Sequence, residues 1–147
     1  MIRKAILEDM EALIKLGRKA HQTSPTYRDV PMDETKCRML VINSLADKDS
    51  VILVAERKGR VTGFLIGIAE ELFFSRKKYA TDLMVYSDRS GEAAQLIRRF
   101  HFWAKQRGCV EVIMGTSFGG SLERTEPLYD ALGMKRIGSM YAKEALQ

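Results

Sequence analysis

The residues best suited to chemistry lie in one stretch, from Ala80 to Gly108. An apolar run, Ala80-Thr81-Asp82-Leu83-Met84-Val85-Tyr86, gives way to Ser87-Asp88-Arg89-Ser90-Gly91-Glu92-Ala93-Ala94 and then to a helical segment ending at Gly108. A helix that starts directly after a strand points several unpaired backbone N–H groups, and the positive end of its dipole, at one spot. That spot suits a phosphate. Gly91, Ala93 and Ala94 are small enough to let a pyrophosphate reach the backbone, and Arg89 adds a cation. The same residues also fit an ordinary capping turn, and the turn alone does not choose between the two.

Other reactive residue types form no comparable group. His21 and His101 stand alone, without metal-ligand spacing to Cys or acids, so no metal site is expected. No Ser/His/Asp or Cys/His arrangement is evident in the order of residues. Cys37 and Cys109 lie far apart in apolar settings, which points to two buried reduced thiols rather than a disulfide framework.

The elements that must hold the turn in place follow from periodicity. After the turn, Ala93, Leu96, Ile97, Phe100 and Ala104 form one apolar stripe at helical spacing, and Phe100, Phe102 and Trp103 read as core or interface packing. Met1 to Ala5 reads as an edge strand. A helix from Glu8 to about His21 carries acids in its first turn, where the dipole favours them. Gln22 to Met32 holds two prolines and no period, and reads as a long loop. Asp33 caps a second helix ending near Ala46, and the apolar runs after Ser50 and after Val61 flank a Lys58-Gly59 turn as an antiparallel hairpin. Cys109 to Gly115 reads as a buried strand, which makes a parallel pair with the strand at Ala80–Tyr86. Near the C-terminus Leu128, Ala131 and Leu132 form a short helical face stopped by Gly133. Pro127 disfavours a helix from Ser121, so that helix is expected to kink there or to begin near Thr125. Met134 to Lys143 reads as one or two strands.

At 147 residues the chain is one domain by length, 1–147. Its 46% hydrophobic and 29% charged residues place it among globular rather than disordered chains. No apolar run is long enough to span a bilayer and no secretory signal pattern opens the chain, so a cytoplasmic protein without a membrane partner is expected. The net charge of +5 would suit nucleic acid, but the cations cluster in presumed turns, Arg57-Lys58-Gly59-Arg60 and Arg76-Lys77-Lys78, which argues against it. A mildly basic surface also favours a polyanionic ligand such as a nucleotide cofactor.

The order β, α, α, β, β, β, α, β, α, β, β resembles the GNAT-type acyl-CoA N-acyltransferases over nearly the whole chain. The resemblance is carried by Val54-Ala55-Glu56, Val61-Thr62-Gly63-Phe64, Asp82-Leu83-Met84-Val85, Arg89 to Ala94, Trp103 to Gly108, and Leu128-Tyr129 to Gly133-Met134. It implies a mixed α/β (α+β) domain: a central sheet of about six to seven strands flanked by four helices, with the fourth and fifth strands splayed as a cleft for acetyl-CoA or CoA. It further implies that Arg89, Ser90, Gly91, Glu92, Ala93 and Ala94 hold the pyrophosphate and that the backbone at Met84 and Val85 pairs with the pantetheine arm. The family turn reads Arg/Gln-x-x-Gly-x-Gly/Ala. This chain departs from it, with Glu92 in a glycine place in one register and Asp88 in the cation place in the other.

The implied activity is N-acetyl transfer from acetyl-CoA to a primary amine, on a small molecule or a protein, by direct attack in a ternary complex. Tyr129 aligns with the family tyrosine that protonates the departing thiolate. An amine is mostly protonated at neutral pH and needs a base, for which Asp82 is the first candidate and Glu70 and Glu71 the next. Selectivity for the acceptor is expected in Gln22 to Met32, with Tyr27, Arg28 and Asp29, and in Glu70 to Lys78. A homodimer stays open, as does a catalytically inactive acyl-CoA-binding or protein-interaction module on the same fold.

Overall fold

A computed structural model describes residues 1–115 and 122–144, with the Leu122 side chain left aside. The strands are β1 (Ile2–Lys4), β2 (Ser50–Arg57), β3 (Arg60–Glu71), β4 (Lys78–Ser87) and β5 (Glu111–Ile113). The helices are α1 (Met10–Thr23), α2 (Glu34–Ala46), α3 (Glu92–Gln106) and α4 (Leu122–Ala131), with one 3₁₀ turn at Leu7–Asp9. The five strands lie in the sheet in chain order. Neighbours are antiparallel from β1 to β4, and β4 pairs with β5 in parallel.

Local chemistry explains the turns. Lys58 and Gly59 both take positive φ, 51° and 75°, the geometry that lets a two-residue hairpin follow the strand twist. The Asp33 side chain accepts from the Lys36 N–H at 3.0 Å and so caps α2. Gly91, at φ 86°, opens α3.

The sheet has two covered faces. Leu53, Leu65, Ala80, Leu96, Ile97 and Phe100 belong to the core on the α3 side. Leu13, Leu16, Val41, Ile52, Phe64 and Ile66 belong to the core under α1 and α2. Helix α3 seats closely because β3 carries Gly67 where the ring of Phe100 lies; a Cβ there would come within 2.2 Å of the Phe100 ring. Phe100 in turn stacks on Trp103 with ring centroids 5.7 Å apart.

Four expectations change. The sheet has five strands among the described residues rather than six or seven. Residues 134–144 take no regular secondary structure, and from 135 onward they are exposed. Of the two forms expected for the last helix, kinked at Pro127 or begun near Thr125, the second does not hold: α4 runs from Leu122 through Pro127 to Ala131. Pro127 and Glu123, whose carbonyl would otherwise accept that missing N–H, are both exposed, so water can take the place of the lost bond. Cys37 and Cys109 are free but only half-buried. Phe102, read as core or interface packing, lies outside the core with Arg99 over its ring.

Candidate active site

The site begins with the end of a strand pairing. β5 stays beside β4 only from Tyr79 to Thr81, opposite Glu111 to Ile113, while β4 continues to Ser87. From Asp82 onward the β5-side edge of β4 therefore has no strand partner among the described residues. On its other side β4 is paired with β3 throughout, but the register skips Leu83: Gly67 faces Asp82 and Ile66 faces Met84. A bulge of this kind bends the strand and raises its twist. Strand and bulge together make the expected splay, and Met84 and Val85 lie on the open edge.

The bulge also sets which way the side chains point. Met84 and Tyr86 pack with the α1/α2 core, whereas Ala80 and Val85 pack with the α3 core. Asp82 lies opposite Gly67, whose empty Cβ position is filled by Phe100, so it too is on the α3 face. There the Gly115 N–H, just after β5, lies near enough to the Asp82 carboxylate to favour its charged form. The Tyr129 hydroxyl of α4 donates to the Gly115 carbonyl at 2.7 Å. One residue, Gly115, thus lies between the two side chains singled out in the sequence, its N–H toward Asp82 and its carbonyl toward Tyr129. Burial raises the Asp82 carboxyl to about 6 despite the two backbone donors. Burial, and then the Asp82 charge, push the Tyr129 phenol well above its ordinary value. The first group is a weak base that is mostly ionised at neutral pH; the second keeps its proton.

Glu70 and Glu71 are placed elsewhere. They stand at the far end of β3, opposite Tyr79 and Lys78, and Tyr79 donates to Glu70 at 3.4 Å. Asp82 is the one of the three acids whose charge reaches Tyr129.

The β4–α3 turn lies at the other end of the open edge. The Glu92 carboxylate folds back onto hydroxyls of the sheet: Ser87 Oγ donates at 2.6 Å, and Thr62 Oγ1 lies 2.8 and 2.9 Å from its two oxygens. Ser87 Oγ also accepts the Arg89 N–H at 3.0 Å. Glu92 therefore braces the turn from within. Asp88, the acid in the second register, is met by Lys19 of α1 at 3.3 Å and by the Tyr86 hydroxyl at 3.1 Å. Arg89, Ser90 and Gly91 are exposed, and nothing lies within 4 Å of the place a Gly91 Cβ would occupy. Ala93 and Ala94 are half-buried on the first turn of the helix. The turn thus keeps open backbone at the positive end of a fifteen-residue helix. These residues fit the phosphates of a CoA-type donor.

The α1–α2 segment is ordered by short-range bonds. Ser24 is fully buried and its Oγ accepts the Tyr27 N–H at 3.2 Å, while His21 Nε2 lies 2.6 Å from the Val30 carbonyl. The Lys19–Asp88 contact brings this end of α1 to the β4–α3 turn. The Leu72–Lys77 turn, by contrast, sits at the opposite end of the sheet, where Asp49 binds Lys78 at 3.2 Å and Arg107 at 2.8 Å. Of the two segments expected to set selectivity, only the first stands at the end that holds the β4–α3 turn.

No protein-family model matches the sequence, and no curated protein matches it in sequence. Solved structures are. Glucosamine-6-phosphate N-acetyltransferase from Arabidopsis thaliana superposes with a TM-score of 0.76 at 20% identity, covering 98% of this chain and 97% of that one. Ribosomal-protein-alanine N-acetyltransferase from Brucella melitensis biovar Abortus 2308 gives 0.72 at 18%, with 99% of each covered. A predicted acetyltransferase from Clostridium acetobutylicum, solved with acetyl-CoA, gives 0.76 at 15%, covering 98% of this chain and 95% of that one. At such identities what is shared is the fold.

Proposed function

We propose that this chain, which has the acyl-CoA N-acyltransferase fold, moves an acetyl group from acetyl-CoA to a primary amine by direct attack in a ternary complex. The observation that carries the reading is the meeting of Asp82 and Tyr129 at the backbone of Gly115, one at its N–H and the other at its carbonyl, where β4 and β5 part. The turn from Arg89 to Ala94 would hold the pyrophosphate through its backbone amides and the α3 dipole. The open backbone at Met84 and Val85 would hold the pantetheine arm and orient the thioester carbonyl. Bound acetyl-CoA supplies an activated acyl group and a thiolate that leaves.

The residues divide the proton work. Asp82 receives a proton from the acceptor ammonium, directly or through water, because its environment favours the neutral carboxyl more than water does. Tyr129, held protonated by burial, gives its proton to the departing sulfur after its hydroxyl leaves the Gly115 carbonyl. The α1–α2 loop, with Tyr27, Arg28 and Asp29, selects the amine, on a protein or a small molecule; the fold neighbours' names cover both kinds.

Calorimetric titration with CoA and acetyl-CoA, followed by CoA release over an amine panel, tests this. Saturable binding, lost in Gly91→Asp, is expected together with release that falls in Tyr129→Phe. Absence of binding at millimolar ligand overturns the donor, and unchanged turnover in Tyr129→Phe removes Tyr129 from the chemistry. Binding without release over the whole panel makes the chain a non-catalytic acyl-CoA binder.

A further inference from the structure

Two aromatic side chains stand almost wholly in water at the end of the sheet away from the β4–α3 turn. Phe73 is 99% exposed and Phe74 73%, their ring centroids 5.1 Å apart and edge to face. They do not sit on a loose loop. The Leu72 N–H donates to the Lys77 carbonyl at 2.8 Å, the Ser75 N–H to the Leu72 carbonyl at 3.1 Å, and the Lys77 N–H to Ser75 Oγ at 3.1 Å. A turn so stapled presents both rings with little ordering left to do on contact. An apolar tip held out in water in this way marks a contact surface.

The charges say what kind. Arg76 and Lys77, both exposed, are the two ionised residues within the turn, and both are positive. Glu70 and Glu71 stand back on β3, where Tyr79 donates to Glu70 and Lys78 lies opposite Glu71. The whole chain adds +5. We propose that the Leu72–Lys77 turn docks on an anionic lipid surface, with Phe73 and Phe74 entering the boundary between headgroups and acyl chains and Arg76 and Lys77 facing the headgroups. A convex tip of two rings set at 82° to each other has no flat face for another helix or sheet, whereas a lipid boundary closes around it. Cations beside it gain from the negative potential of such a surface within about a Debye length. The sequence rules out a spanning run, and no described helix is long and apolar enough to cross a membrane; a docked turn needs neither. Docking at this end leaves the β4–α3 turn and the α1–α2 loop facing away from the surface.

The test is co-sedimentation of the full chain with vesicles of phosphatidylcholine alone and of phosphatidylcholine with phosphatidylserine, at low and raised salt. The expected result is at least tenfold stronger partition onto the phosphatidylserine vesicles at low salt, declining as salt rises. Partition falls at least fivefold in Phe73→Ser/Phe74→Ser and in Arg76→Glu/Lys77→Glu. Both rings are already hydrated, so the double serine variant keeps its thermal midpoint, which separates lost docking from lost folding. No partition onto either vesicle, or equal partition of the double serine variant, overturns the proposal. So does a concentration-dependent dimer that the serine substitutions abolish while vesicles bind nothing, since the rings then serve a second copy of the chain.

Discussion

Asp82 carries two consequences that pull in opposite directions. Its carboxyl is raised to about 6 from an ordinary value of 3.8, so the folded protein holds that proton more tightly than the unfolded chain between these values. Stability attached to the group is therefore present below pH 3.8, declines as pH rises to about 6, and stays lower above. Asp82→Asn removes this cost. The variant should gain about 1–2 kcal/mol at neutral pH, taking about 1.4 kcal/mol per pK unit and discounting for partial solvent screening. It should also lose about 10²–10⁴-fold in acetyl transfer, together with the limb near pH 6 in the rate profile. Urea unfolding at pH 4 and pH 7.5, beside a pH–rate curve, reads both. Tyr129 and Asp82 were legible as residue types. Gly115, whose N–H and carbonyl lie between them, was not: a glycine closing a short strand carries no signal of what its two backbone groups will meet. Thr62 was equally silent, because its bond to Glu92 spans thirty positions.

Among the elements, α3 was the most legible. Four of the five stripe residues, Leu96, Ile97, Phe100 and Ala104, are buried, as is Trp103, because helical period and burial are the same fact seen twice. What period cannot convey is how near the helix comes. Gly67 decides that, and its β-run reads simply as apolar with two glycines. Gly67→Ala would press a methyl against Phe100, itself fully buried and stacked on Trp103, so neither can yield freely. The expected loss is about 1–3 kcal/mol, seen as a lower urea midpoint with an unchanged slope. α4 shows the opposite case. Proline's intrinsic cost argued for a helix starting later, yet the exposed position of Pro127 lets water meet the freed carbonyl.

At the scale of the molecule, strand ends are tied by ions, the N-terminal strand among them. Arg3 of β1 donates to both Asp9 oxygens, at 2.8 and 3.0 Å, and to Glu56 of β2. The Arg3 bond, followed by the Ile6 N–H, holds the Asp9 carboxyl below its usual range. Asp9 is 7% exposed, so Arg3→Ala would leave a buried carboxylate short of its partner, at about 2–3 kcal/mol. A depressed carboxyl contributes stability above its unfolded value of 3.8 that is lost as pH falls through the lower folded one. The unfolding midpoint of the Arg3→Ala protein should therefore depend less on pH below 4 than that of the unaltered chain. The order of strands and helices, the hairpin and the parallel pair could be read from pattern, since each follows from local period and turn chemistry. The skipped register at Leu83 could not, because a bulge leaves alternation looking intact on either side. Its consequence concerns number rather than kind. Leu83 is 43% exposed, so its side chain is close to interchangeable, but its presence is not. Without that one residue β4 would fall back into step with β3 and straighten. The bend beside the opening is thus specified by arithmetic in the backbone, which a substitution leaves in place and an insertion or a deletion alters.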